Sequence, residues 1–180
     1  MSRIRAGSGV VRHVLGLLAL GLALVLGAGP AVAAETQSAP DDRARFVSIT
    51  RALEADPLQP GARADRAWAL SWLVEAPDVS VSVCLNALGG MDETYPYAGE
   101  VALQYMFAMA VPVIEHPDMT TDPDAQQVAG VVSALRVYRA LLAGRADARS
   151  PALDALLDIE ARGGLPEFIR SGPGRCSAEG

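Results

Sequence analysis

The densest group of side chains able to move a proton or hold a cation is Glu115, His116, Asp118, Asp122 and Asp124. A carboxylate beside an imidazole suits acid–base work near neutral pH, and oxygen ligands this close suit Ca²⁺. The spacing lacks the alternating acids and the glycine of an EF-hand loop. Plainer roles also fit. His116 falls at the end of an apolar stretch, where a helix dipole favours an imidazolium, and Asp122 before Pro123 has the form of a helix cap. No metal and no cofactor is expected. His116 is the only imidazole beyond His13, so any Ser-His-Asp site must use it, and no G-x-S-x-G elbow follows the N-terminal region. Glu75, Glu100 and Glu115 lie beside apolar helices, where a carboxyl could titrate high enough for glycoside hydrolysis, or could sit exposed at a helix edge. Leu88-Gly89-Gly90-Met91 ends an element rather than opening one, unlike a phosphate loop.

Aromatic residues supply the other candidates. Trp68 and Trp72 are one helical turn apart and share a face. Such a pair lines a sugar or apolar groove less often than it packs into a core, and core is the expectation. Tyr95-Pro96-Tyr97 reads as a loop carrying an exposed aromatic contact surface.

The positioning elements begin with a leader. Arg3, Arg5 and Arg12 precede an apolar run from Val14 to Ala28, which ends in Gly29-Pro30 and Ala31-Val32-Ala33. Basic start, apolar centre and small-x-small end describe a secretory signal peptide over 1–33, with an uncleaved anchor as the alternative. The run is short for a bilayer span. The protein is expected in the periplasm or outside the cell, with no membrane contact once the leader is removed.

Acids outnumber bases by 21 to 15, for a net charge of −6, and there is no lysine. The leader takes basic residues and no acid, so the remainder is more acidic still. That balance excludes nucleic acid as a partner. Cys84 and Cys176 are the only cysteines. In an oxidising compartment an even count favours a disulfide between them. The alternatives are a buried thiol at Cys84 or intermolecular pairing at Cys176.

After a flexible lead-in at 34–40, a single helical domain is expected over 41–176, with a disordered tail at 177–180. Asp41 or Asp42 caps a first helix with Phe46, Ile49 and Leu53 on its apolar face. Pro57-Leu58-Gln59-Pro60-Gly61 breaks the chain before a second helix from about Ala62 to Glu75. Asp78 to Gly90 fits two templates. Val79, Val81, Val83 and Leu85 alternate as in a strand, while Val81, Cys84, Leu85 and Leu88 fit a helix capped by Asp78 and closed by Gly89. A strand without a partner would leave its backbone unpaired, so helix is the reading. Tyr97 to Glu115 is apolar around most of its circumference and should be a buried central helix, disturbed at Pro112. Asp122-Pro123 and Ser150-Pro151 open two further helices, and Leu165 to Arg170 adds a short turn. The fold class is all-α, about six helices closed by one disulfide.

Ala134-x3-Tyr138-x2-Leu141, followed by Ser150-Pro151, resembles the second half of a tetratricopeptide repeat. Arg66-Ala67-Trp68-Ala69-Leu70-Ser71-Trp72-Leu73, Ala76 to Val81, Cys84, Ile114-Glu115-His116-Pro117 and Ala129 to Leu135 resemble a group of short exported bacterial proteins. Members of that group carry a cysteine near each end of the mature domain. The resemblance implies a fold and an address, with no catalytic residue to carry over. The functional expectation is a non-enzymatic module binding an envelope protein or peptide. The alternatives are a small envelope hydrolase using acids, or a purely structural protein.

Overall fold

The computed structural model describes residues 38–117 and 122–176. The expected leader, lead-in residues 34–37, Asp118 and the tail at 177–180 lie outside the described residues. Within them the fold is all-helical: α1 (Pro40–Ala55), α2 (Ala62–Glu75), α3 (Ala98–Glu115), α4 (Pro123–Gly144), α5 (Pro151–Ala161) and α6 (Leu165–Arg170), with one 3₁₀ turn at Leu85–Leu88.

Proline and polar caps set several of these boundaries. Asp122 and Ser150 accept from the Ala125 and Leu153 N–H groups, at the starts of α4 and α5. At α1 the expectation is corrected. Helix begins at Pro40, the N-cap is Ala39 without a side-chain cap, and Asp41 and Asp42 lie inside the first turn, where they favour the helix dipole instead. Pro40 takes the first helical position because its missing N–H would be unpaired there in any case.

The central helix is α3, as its all-round apolarity requires. One side, with Phe107, Ala110 and Val113, packs against Phe46 and Leu53 of α1 and Ala69 and Leu73 of α2. The other, with Val101, Tyr105 and Met109, packs against Val131, Ala134, Leu135 and Tyr138 of α4 and Leu153 and Leu156 of α5. A helix packed between two cores has apolar neighbours on opposite sides, which explains why α3 is apolar around most of its circumference. It continues past Pro112 to Glu115, and the His116 N–H closes its last turn on the Pro112 carbonyl at 2.8 Å. Among the described residues no helix is long and apolar enough to cross a membrane.

Helices α3 and α4 approach closely at Gly130. A Cβ there would stand 2.7 Å from the Tyr105 ring and 2.8 Å from Met109. Both distances are below contact, so only glycine admits this approach.

The disulfide joins Cys84 to Cys176, with Cα atoms 5.6 Å apart. It ties the segment after α6 to the irregular chain between α2 and α3. That chain is the main correction to the fold. Residues 79–84 are not helical, and helix is confined to the 3₁₀ turn, which Gly89 ends with φ +68°. The argument against an unpartnered extended segment assumed that only backbone could satisfy backbone. Here side chains do so. Gln127 Nε2 donates to the Ser82 carbonyl at 2.5 Å. The Tyr105 hydroxyl accepts from the Cys84 N–H at 3.3 Å and shares its proton between the Cys84 carbonyl at 3.1 Å and Gln127 Oε1.

Tyrosine repeats this role elsewhere. Tyr138 accepts from the Ser150 N–H at 2.9 Å, and Tyr95 donates to the Ala148 carbonyl at 2.7 Å.

Candidate functional site

The acid and imidazole candidates do not converge on one point. Glu115 is ion-paired with Arg51 of α1 at 2.6 Å. His116 is exposed at the end of α3. Asp122 is occupied as the cap of α4, and Asp124 faces Arg170 at 3.9 Å. Among the described residues no three His, Cys, Asp or Glu side chains are placed to hold a metal ion.

Glu115 and His116 do border a groove of about 370 Å³ between α1, α3 and α4. Its floor holds a polar cluster that hydropathy patterning did not reveal. Gln104 Nε2 donates to the Thr50 carbonyl at 3.0 Å and to Ser133 Oγ at 2.8 Å. Ser133 Oγ in turn donates to Glu54, which Arg136 holds at 2.9 Å. Thr50, Gln104 and Ser133 are all buried. A serine beside a carboxylate invites a nucleophilic reading, but the Ser133 proton is committed to Glu54 and the residue is only 3% exposed. Among the described residues no hydrogen bond joins it to His116. The cluster cross-links three helices with every member paired, an arrangement that fixes packing.

Trp68 and Trp72 are half-buried against the α1–α2–α3 core. Their rings stack at 6.3 Å and 14°, Phe46 lies 4.7 Å beyond Trp72, and the Arg45 guanidinium covers Trp68 at 3.9 Å. Rings engaged by Phe46, by Arg45 and by each other favour the core expectation over a sugar platform.

The expected exposed surface at Tyr95 and Tyr97 is corrected. Tyr95 is buried, and burial first, then neighbouring acids and tyrosines, pushes its hydroxyl pKa up. Tyr97 is half-buried and donates to Asp147 at 2.9 Å. The two rings meet edge to face at 5.8 Å, and the Tyr95 hydroxyl reaches the carbonyl at 148. A Tyr-Pro-Tyr loop looks exposed in sequence because nothing local announces that distant carbonyl.

Exposed apolar side chains lie ten or more positions earlier, at Val83 and Leu85. Val83 is 50% and Leu85 57% exposed, on the same short segment. Leu58 and Val74 are also exposed, as singles in other elements, which is ordinary for a soluble surface. Leu85 differs because it lines an apolar cavity of about 240 Å³ with Leu88, Met91, Ala98, Gly99 and Ala102, and Glu93 stands on its rim. The sequence signal for this surface is the alternating Val79-Ser80-Val81-Ser82-Val83.

Comparison with protein-family models, with curated proteins and with solved structures found no match to this chain.

Proposed function

We propose that the protein is an exported helical module, free of catalytic chemistry, that binds a protein or peptide of the cell envelope. The observation carrying this reading is the apolar surface formed by Val83 and Leu85 beside the cavity at Leu88, Met91 and Ala98. Apolar side chains held at a cavity mouth bury area when a partner arrives. The groove at His116, by contrast, has its carboxylates engaged with arginines and its buried hydroxyl engaged with a carboxylate. Among the described residues His116 is left at that groove without a nucleophile hydrogen-bonded to it, which disfavours the hydrolase reading. Export is supported by the leader pattern and agrees with a bonded cysteine pair, which oxidising compartments preserve.

An array of immobilised peptides drawn from envelope proteins tests the binding surface. Wild-type chain is expected to be retained by a subset of peptides, and a folded Leu85→Asp variant is expected to lose them. No retention of folded wild type, or retention unchanged by Leu85→Asp, overturns the reading. The mass of protein purified from its own host tests export: a chain beginning at Ala34 supports it, and a full-length chain removes it.

A further inference from the structure

The route of the backbone through residues 81–84 narrows what this surface can bind, given that binding reading. In an extended chain the N–H and C=O of one residue point to the same edge, and those of the next residue point to the opposite edge. Cys84 is extended, with φ −140° and ψ 98°, and both its N–H and its C=O meet the Tyr105 hydroxyl. The Ser82 C=O, two residues back, meets Gln127 of α4. Ser82 and Cys84 therefore share the inner edge, turned to α3 and α4. Val81 and Val83 are left on the outer edge. Among the described residues their N–H and C=O groups make no hydrogen bond. The same segment is anchored at Cys84 by the disulfide, so the edge is held in place.

We infer that the Val81–Val83 edge is a docking strand, on which a partner peptide adds its own backbone in extended form while one of its apolar side chains fills the cavity beside Leu85. An unpaired edge of alternating donors and acceptors recognises extended backbone and nothing else as well. The ligand is a peptide with alternating apolar and polar residues that carries an arginine or lysine to meet Glu93 at the cavity rim. A second copy of this chain is a poorer occupant. It would bring a second Glu93 and a second surplus of negative charge to the same interface, on a chain already at −6.

The probe is a short fluorescein-labelled peptide alternating valine with threonine and carrying one arginine, followed by fluorescence anisotropy. Single N-methyl groups are placed along its backbone in turn, which removes donors without altering the protein. Methylation at alternate amides is expected to weaken binding about tenfold or more, the scale of one lost hydrogen bond. The intervening amides are expected to change it little. A flat response along the peptide, with binding intact and still abolished by Leu85→Asp, overturns the docking strand while leaving the apolar surface as the binding site. No binding of this probe by a chain that retains array peptides also overturns the docking strand. Sedimentation of the free protein covers the remaining occupant: a dimer dissociated by Val83→Pro assigns the edge to a second copy and overturns the peptide.

Discussion

Two regions of the molecule solve the same problem in opposite ways. Where α1, α3 and α4 meet, Thr50, Gln104, Ser133, Glu54 and Arg136 form a connected set in which each residue is hydrogen-bonded to another of the set. Between α2 and α3 the chain at 81–84 is irregular, and only its inner edge is satisfied, by Tyr105 and Gln127. A closed network fixes helices against one another and has nothing left to offer a ligand. A half-satisfied edge contributes less to stability and leaves hydrogen-bonding groups and apolar side chains available. Binding surfaces belong to the second kind, which favours the segment at 81–85 over the groove beside His116 for the proposed interaction surface.

Breaking the disulfide gives the largest expected effect. Cys84 and Cys176 are 92 positions apart. Replacing both with serine is expected to cost about 4–5 kcal/mol on the chain-entropy account, read from urea unfolding. Hydrogen exchange should then rise first at 81–84 and 172–176, with α3 and α4 less affected. Exchange rising uniformly across both regions would remove the contrast between them.

Gln104→Ala attacks the closed network. It leaves the Thr50 carbonyl and Ser133 without their donor and opens space in the core. The expected loss is about 2–4 kcal/mol, with peptide binding unchanged in the folded fraction. A loss below about 0.5 kcal/mol would mean that the network is ornamental to stability.

The Tyr105 hydroxyl gives a smaller effect, on the side of the edge. Burial pushes it up from 10.0 to about 12, against the lowering influence of its bonds to Cys84 and Gln127. A phenol whose folded value is raised stabilises the fold fully below its unfolded value, and that contribution disappears as pH rises toward the folded one. The expected signature is a decline of about 2–3 kcal/mol between pH 10 and about 12. Tyr105→Phe should flatten its share of that decline, and its exchange at Cys84 should rise. A Tyr105→Phe protein with an unchanged alkaline limb would locate the titration in Tyr95 or Tyr138 instead, both also raised by burial.

Helix-forming segments were legible because their signals are local. Asp122-Pro123 and Ser150-Pro151 cap and start helices by contacts within one turn, and the apolar circumference of α3 announced a central position. The segment at 79–84 departs from the expected helix because its hydrogen-bond partners lie on α3 and α4, 21 and 45 positions away. Tyr95 departs from its expected exposure for the same reason, since its partner carbonyl is 53 positions distant. The polar cluster escaped because Gln104, Thr50 and Ser133 interrupt apolar helices singly, as any tolerated polar residue does.

The amino-acid sequence alone therefore determined the all-helical class, the starts of α4 and α5 and the central place of α3, and it favoured the Cys84–Cys176 pair. Each follows from periodicity, capping or composition, which act within a few residues or on the whole chain at once. Tertiary structure alone decided which polar groups are closed off and which backbone edge stays open. Those outcomes depend on which side chain arrives opposite a given carbonyl or amide, and that is settled only when distant helices pack.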